Sequence, residues 1–252
     1  MMELSDFSRG APVDYRPCVS STNTVLKALA AASELPDGYV LAAEKQTAGR
    51  GRLGRTFESP DGGLYLSLLL YPACPAEEIP TLTPCAAVAV CRALERVCGV
   101  SADIKWPNDL QLGGKKLCGI LTESSTGRGK RFVVLGIGLN VNSSIAAFPP
   151  ELRDTAVSLA DYLGKNVALE PLIRALLEEL DRMLESWAAD HRCCLAEYRE
   201  KCCTLGRNVT LLRSDTRTNA RALGIDDDYA LIAETASGLE HISFGEVSIR
   251  RS

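Results

Sequence analysis

Between Lys45 and Arg55 the sequence reads KQTAGRGRLGR, with four cations, three glycines and no carboxylate in eleven residues. Glycine lets a backbone approach a ligand closely and adopt positive φ. Arginine offers a fork of donors that matches carboxylate or phosphate. Gly49-Arg50-Gly51-Arg52-x-Gly54-Arg55 therefore reads as an anion clamp. Taken alone, the run also fits a solvated basic loop or an RNA-binding loop. Two later clusters and one earlier one narrow the choice. Lys105-Trp106-Pro107-Asn108-Asp109 is followed by Lys115-Lys116-Leu117-Cys118-Gly119-Ile120-Leu121-Thr122-Glu123. Gly136-Ile137-Gly138-Leu139-Asn140-Val141-Asn142 ends an apolar run with amides, and Ser21-Thr22-Asn23 lies near the start.

These groups need elements to hold them. Ser20 to Asn23 precede VLKALAAA and supply the caps of a helix running to about Ala32. YVLAAEKQ reads as a strand entering the basic loop, and LYLSLLLY as an apolar strand leaving it. Pro84 opens a helix that Gly99 closes, and Pro171 opens a long helix with a 3.6-residue apolar period. ADIKWPNDLQL and KKLCGILTES are strand-like segments joined by a Gly113-Gly114 hairpin turn. RFVVLGIGLNVN is a further strand. From about Gly206 short strands follow one another, as in a small β-barrel.

Composition excludes some functions. The chain has 252 residues and a net charge of −4, so the basic loop is a local feature and nucleic acid and membrane surfaces are not expected partners. No apolar stretch approaches the roughly 18 residues of a membrane span, and the N-terminus lacks the regions of a signal peptide. A soluble cytoplasmic protein is expected. Ten cysteines are present, among them the pairs Cys193-Cys194 and Cys202-Cys203. Adjacent cysteines do not match common zinc-ligand spacing, so they read as reduced thiols.

The motifs STN (Ser21–Asn23), QTAGRGRLGR (Gln46–Arg55), KWPND (Lys105–Asp109), KKLCGIL (Lys115–Leu121) and GIGLNVN (Gly136–Asn142), in that order, resemble those of the biotin protein ligases. The resemblance spans about residues 15 to 250. It implies an α+β fold: a mixed, largely antiparallel sheet covered by helices on one side in residues 1–202, and an SH3-like β-barrel in 203–252. It implies that biotin and ATP give biotinyl-5′-AMP and pyrophosphate, and that a lysine on a biotin carboxyl carrier protein or domain of a carboxylase then takes the biotinyl group. Mg²⁺ would accompany ATP, and homodimers are possible.

The same resemblance assigns roles. Lys116, Arg50 and Arg52 would be the catalytic cations. Ser21, Thr22, Asn23, Gln46, Gly49, Arg50, Gly51, Arg52, Trp106, Lys116, Gly119 and Gly138 would bind biotin. Arg50, Arg52, Arg55, Phe57, Asn108, Lys116 and Asn140 would bind ATP, with Asp109 as the carboxylate for Mg²⁺. Strand alternation alone does not choose between Lys115 and Lys116. It groups Cys118 and Ile120 with Lys116, and Leu117, Gly119 and Leu121 with Lys115. The family's lysine directly precedes Leu-x-Gly-Ile, which selects Lys116. Three positions depart from the family pattern. Leu53 replaces an arginine, Phe57 replaces an adenine-stacking tryptophan, and DDDYA replaces a glycine before the strand near Leu231.

A lipoate–protein ligase is the alternative within enzymes. KWPND with GRGRxGR and the C-terminal strands favour biotin. A biotin-responsive transcriptional regulator is disfavoured, because only about 18 residues precede the Ser-Thr-Asn motif, too few for a DNA-binding domain.

Overall fold

The computed structural model describes residues 13–213, 216–243 and 245–249. The stretch capped by Ser21 forms α1 (Thr22–Ala32), which follows β1 (Val13–Arg16) and precedes β2 (Val40–Ala43). Next come β3 (Leu64–Leu70), α2 (Leu82–Cys98), β4 (Asp103–Lys105), β5 (Asp109–Leu112), β6 (Lys115–Gly127) and β7 (Lys130–Leu139). Two short helices, α3 (Pro150–Arg153) and α4 (Leu159–Leu163), lead to α5 (Leu169–Ala189) and α6 (Leu195–Lys201). Strands β8 (Asn208–Arg213), β9 (Thr216–Ile225), β10 (Leu231–Thr235), β11 (Gly238–Ile242) and β12 (Glu246–Ile249) complete the chain.

The first seven strands form one sheet in the order β1-β2-β3-β7-β6-β5-β4, parallel only between β1 and β2. The last five form an antiparallel sheet, β11-β10-β9-β8-β12. The mixed α+β architecture is as expected. One detail differs: helices cover both faces of the large sheet. Leu66 and Leu68 of β3 share a core with α2 and α5, whereas Leu69 packs with Leu26 and Ala30 of α1. All seven residues of β3 are buried, so this strand has an apolar complement for a helix on either side.

Two prolines sit deeper than expected. Pro84 and Pro171 are each the third residue of their helix. The first turn has no intrahelical partner for its N–H groups, so a missing donor there costs nothing. The Gly113-Gly114 turn has positive φ at both residues, the hairpin geometry its sequence predicts. The segment ADIKWPNDLQL divides into two strands, because Pro107 has no N–H for a ladder.

The segment before the last sheet is knitted to β4. Cys203 donates its N–H to the Ile104 carbonyl at 2.9 Å, and the Thr204 hydroxyl accepts from the Trp106 N–H at 3.0 Å. The DDDYA turn resolves the absent glycine. Tyr229 itself takes the left-handed conformation, with φ of 61°. The Asp226 carboxylate holds the turn by accepting from the N–H groups of Asp228 and Ala230. The Tyr229 ring packs edge-on against Tyr198, and its carbonyl accepts from the Trp106 indole. Among the described residues, no helix is long and apolar enough to cross a membrane.

Candidate active site

One face of the large sheet lacks side chains where it matters. Gly119 of β6 lies directly across from Gly138 of β7, and Leu121 lies across from Gly136. On the other side of β7, Tyr65 and Ser67 of β3 pair with Gly138 and Gly136. The glycines leave a trough over the strands, on the face that carries α1. It opens into a cavity of about 1010 Å³.

The N-terminus of α1 closes one end. The Ser21 hydroxyl caps the helix by accepting from the Thr24 N–H. Thr22 donates its N–H and hydroxyl to Gln46 Oε1 at 2.8 and 3.2 Å, and Gln46 Nε2 donates to Ser59 at 2.8 Å. Asn23 is fully engaged: it donates to the Leu121 carbonyl and to Glu123, and accepts from Ser67 at 2.6 Å. A Cβ on Gly136 would lie 2.1 Å from Asn23 Oδ1. Since Asn23 cannot yield without breaking three bonds, Gly136→Ala is expected to cost about 1–3 kcal/mol by overpacking. A thermal melt should show that loss. Gly51→Ala meets nothing nearer than 3.4 Å and is expected to stay within about 0.5 kcal/mol of the parent.

The clamp lies over the trough as a tight hairpin. Gly51 donates to the Arg55 carbonyl at 2.8 Å, and Phe57 to that of Gly49 at 2.9 Å. At its tip Leu53 is 71% exposed with φ of 53°, a conformation unusual for a branched residue. Gly49 is the one predicted site residue that does not line the cavity. Its Cβ would lie 2.3 Å from the Phe57 carbonyl, so it is required for the hairpin to close. Arg50 lies 3.5 Å from Glu123, and Arg52 donates to Asn108 Oδ1 at 3.3 Å. Arg55 also lines the cavity.

Phe57 lies on the trough floor. A Cβ on Gly138 would be 2.6 Å from its ring, and one on Gly119 2.8 Å. Lys116 Nζ stands 5.4 Å from the ring centroid. The same amine pairs with Asp109 at 2.6 Å. The two lysines therefore separate, with Lys116 held over the floor and Lys115 exposed at the rim.

The expected face-sharing needs correction. Lys116 points to the Gly119 side, its Cε 3.3 Å from where a Gly119 Cβ would stand. A bulge explains this: Cys118 pairs with Leu110 and Lys116 with the next residue, Gln111, leaving Leu117 as an extra residue. The alternation flips there, and Leu117 and Cys118 are both buried. Burial pushes the Cys118 thiol upward, so it stays protonated. The bulge is also clamped from a second side. Lys116 donates its N–H to the Thr155 carbonyl at 2.7 Å and accepts from Val157 at 2.9 Å.

Asn108 donates to the Ile120 carbonyl at 2.8 Å. Asn140 is buried and donates to Val157 at 3.1 Å, but its Oδ1 has no partner among the described residues. Trp106 is 2% exposed, and its indole N–H is committed to Tyr229. It braces the cavity wall against the C-terminal sheet rather than presenting a broad face.

Glu123 and Lys27 have no role foreseen from their sequence positions. Glu123 receives Lys27 at 2.5 Å and Asn23 at 2.9 Å, with Arg50 beyond. A signal was available: Asn23 and Lys27 are four apart and share a helix face. Burial would raise the Glu123 pKa, but hydrogen bonds from Lys27 and Asn23, with the charges of Lys27 and Arg50, outweigh it and hold the carboxyl below its usual value. A lowered carboxyl pKa contributes stability that is present above the unfolded value of about 4.3 and fades as pH falls through the folded one. Glu123→Gln is therefore expected to melt below the parent at pH 7. The gap should shrink as pH drops below about 4.3. A gap that is constant from pH 7 to pH 3 would contradict the charge network.

Both parts of the chain match known families. The model of the Biotin/lipoate A/B protein ligase family matches residues 15–140, and that of the biotin protein ligase C terminal domain matches 204–250. The bifunctional ligase/repressor BirA of Bacillus subtilis is 35% identical over 243 residues, 95% of this chain and 74% of that protein. The biotin–[acetyl-CoA-carboxylase] ligase of Paracoccus denitrificans is 34% identical over 236 residues, 90% of this chain and 96% of that one. A structure of the Aquifex aeolicus biotin protein ligase in complex with biotin and ATP superposes with a TM-score of 0.81 at 30% identity, covering 95% of this chain and 99% of that one. On this agreement along its length, the chain belongs to the biotin protein ligase family and is a biotin–protein ligase.

Proposed function

We propose that the protein joins biotin to ATP as biotinyl-5′-AMP and then passes the biotinyl group to a lysine of a biotin carboxyl carrier domain. The observation that carries this reading is Lys116, a cation held by Asp109 over a glycine floor with Arg50 and Arg52 on the hairpin above. In the first step a biotin carboxylate oxygen attacks the α-phosphorus of ATP. The α–β phosphoanhydride breaks and pyrophosphate leaves. Two anions must meet, and fixed cations lower the cost of that approach. Lys116 bridges carboxylate and α-phosphate; Arg50 and Arg52 cover the phosphates and the adenylate. In the second step the carrier amine attacks the acyl carbon, the bond to AMP breaks, and the amine loses a proton. No nucleophile of this chain is consumed.

Biotin lies in the cavity between the α1 N-terminus and Lys116, its tail pointing toward Lys116. Gln46, Thr22 and Ser21 fix the end of the trough where the ureido ring would sit. The orphan Asn140 Oδ1 suits a donor of adenine or ribose, and Asn108 and Arg55 line the same side. With Lys116 beside one face of Phe57, this ring forms the floor of the reacting centre, and adenine can use only what the amine leaves open. Mg²⁺ takes oxygen ligands and keeps waters and substrate phosphates, so a single protein carboxylate is sufficient. Asp109 fits that requirement, and a cation there would neutralise phosphate charge. Its pairing with Lys116 means the metal and the amine would share one carboxylate.

The test is incorporation of labelled biotin or lipoate into a carrier domain with ATP. Biotin labelling that needs ATP supports the reading. Equal or greater labelling by lipoate would overturn it.

A further inference from the structure

Away from the cavity, three cysteines converge. Cys85 comes from α2; Cys193 and Cys194 come from the turn between α5 and α6. Their sulfurs all lie within 4.8 Å of one another, and Cys193 and Cys194 are 3.6 Å apart. Cys85 and Cys194 are buried and Cys193 is exposed. None of the three lines the cavity.

We propose that this trio is a binding site for a thiophilic divalent d¹⁰ cation, zinc being the common biological case. Sulfurs bound to one tetrahedral zinc at about 2.3 Å stand roughly 3.8 Å apart, close to the spacing found here. Three thiolates and a divalent ion leave one net negative charge. A monovalent ion would leave two beside an apolar core, which is costlier. Hard cations such as Mg²⁺ prefer oxygen ligands and do not suit three sulfurs. Exposure of Cys193 leaves the fourth position to water. The surroundings support ligation. The Tyr229 hydroxyl lies 3.3 Å from Cys85 Sγ and can donate to it as a thiolate, which orients the ligand.

A redox pair fits less well. Adjacent Cα atoms are about 3.8 Å apart across a trans peptide, below the usual disulfide span of about 4.4–6.8 Å. A bond from Cys85 to either neighbour would leave the third thiol unused. Sequence spacing hides the site, because Cys85 and Cys193 are 108 positions apart. A bound ion would join α2 to the turn before α6, beside Tyr229 of the C-terminal segment.

The test uses the full chain, stripped of metal by a chelator and reduced with a phosphine. Titration with Cd²⁺ should show thiolate-to-metal charge-transfer absorption that saturates at one equivalent, and Zn²⁺ should displace it. Zn²⁺ should also shield Cys193 from alkylation. Cys193→Ser, at an exposed position, and Cys194→Ala should each weaken uptake at least about tenfold. Cys18→Ser should leave it unchanged, and biotin-dependent pyrophosphate release should be unchanged in Cys193→Ser. Absence of stoichiometric uptake overturns the proposal, as does uptake that survives both cluster variants. Formation of a disulfide within the trio in air, with no metal uptake by the reduced protein, also overturns it and assigns the cluster to thiol redox chemistry.

Discussion

Lys116→Met is expected to lower biotin-dependent pyrophosphate release by about 10²–10³-fold, the loss typical when a fixed charge-stabilising donor is removed from a reacting centre. Methionine keeps most of the stem that packs beside Phe57, so the floor should survive. What disappears is the amine that the proposed mechanism places between carboxylate and α-phosphate. Asp109 then loses its partner at 2.6 Å and adds an uncompensated negative charge. Lys115→Met is expected to change the rate less than about threefold, since an exposed rim charge contributes little. Transfer from supplied biotinyl-AMP should suffer less than adenylation, because the anions no longer have to meet. A Lys115 variant that loses adenylation while the Lys116 variant keeps it would reverse the assignment.

Arg52→Gly is expected to release the adenylate. Removing one charged, fork-shaped donor from an anion costs about 1.5–3 kcal/mol, or roughly 10–100-fold in retention. The substitution also removes the bond to Asn108 that ties the hairpin to the chain between β4 and β5. Free biotinyl-AMP acylates exposed lysines at random. Labelling of an unrelated protein should therefore rise while labelling of the carrier falls or holds. Unchanged adenylate dissociation, measured by chase with unlabelled biotin, would remove Arg52 from this role.

Local chemistry made much of this legible. Capping hydroxyls, Gly113-Gly114 and the apolar runs are short-range signals, and each produced the element it predicts. The basic hairpin beside the cavity was visible in the alternation of arginine and glycine. The rest depended on neighbours distant in sequence. The direction of Lys116 follows from a bulge, where Lys116 is also hydrogen-bonded to Thr155 and Val157 of a segment with no motif. Glu123 stands just beyond a motif and acquires its role only when α1 brings Asn23 and Lys27 against it. Trp106 lines the cavity, but its indole finds a partner only through the Tyr229 carbonyl, 123 positions further along the chain. Helices on both faces likewise follow from β3 being apolar on both sides, which periodicity alone does not turn into a count of layers.

Whether this cavity joins biotin to the α-phosphate of ATP is tested most directly by a single turnover. The reaction holds ATP labelled at the α-phosphate, biotin and Mg²⁺, and no carrier. The label is expected to move into enzyme-bound biotinyl-AMP, up to one equivalent per chain, with matching pyrophosphate, and lipoate is expected not to replace biotin. Label appearing in ADP, or remaining in ATP whether or not biotin is present, would contradict adenylation at this site.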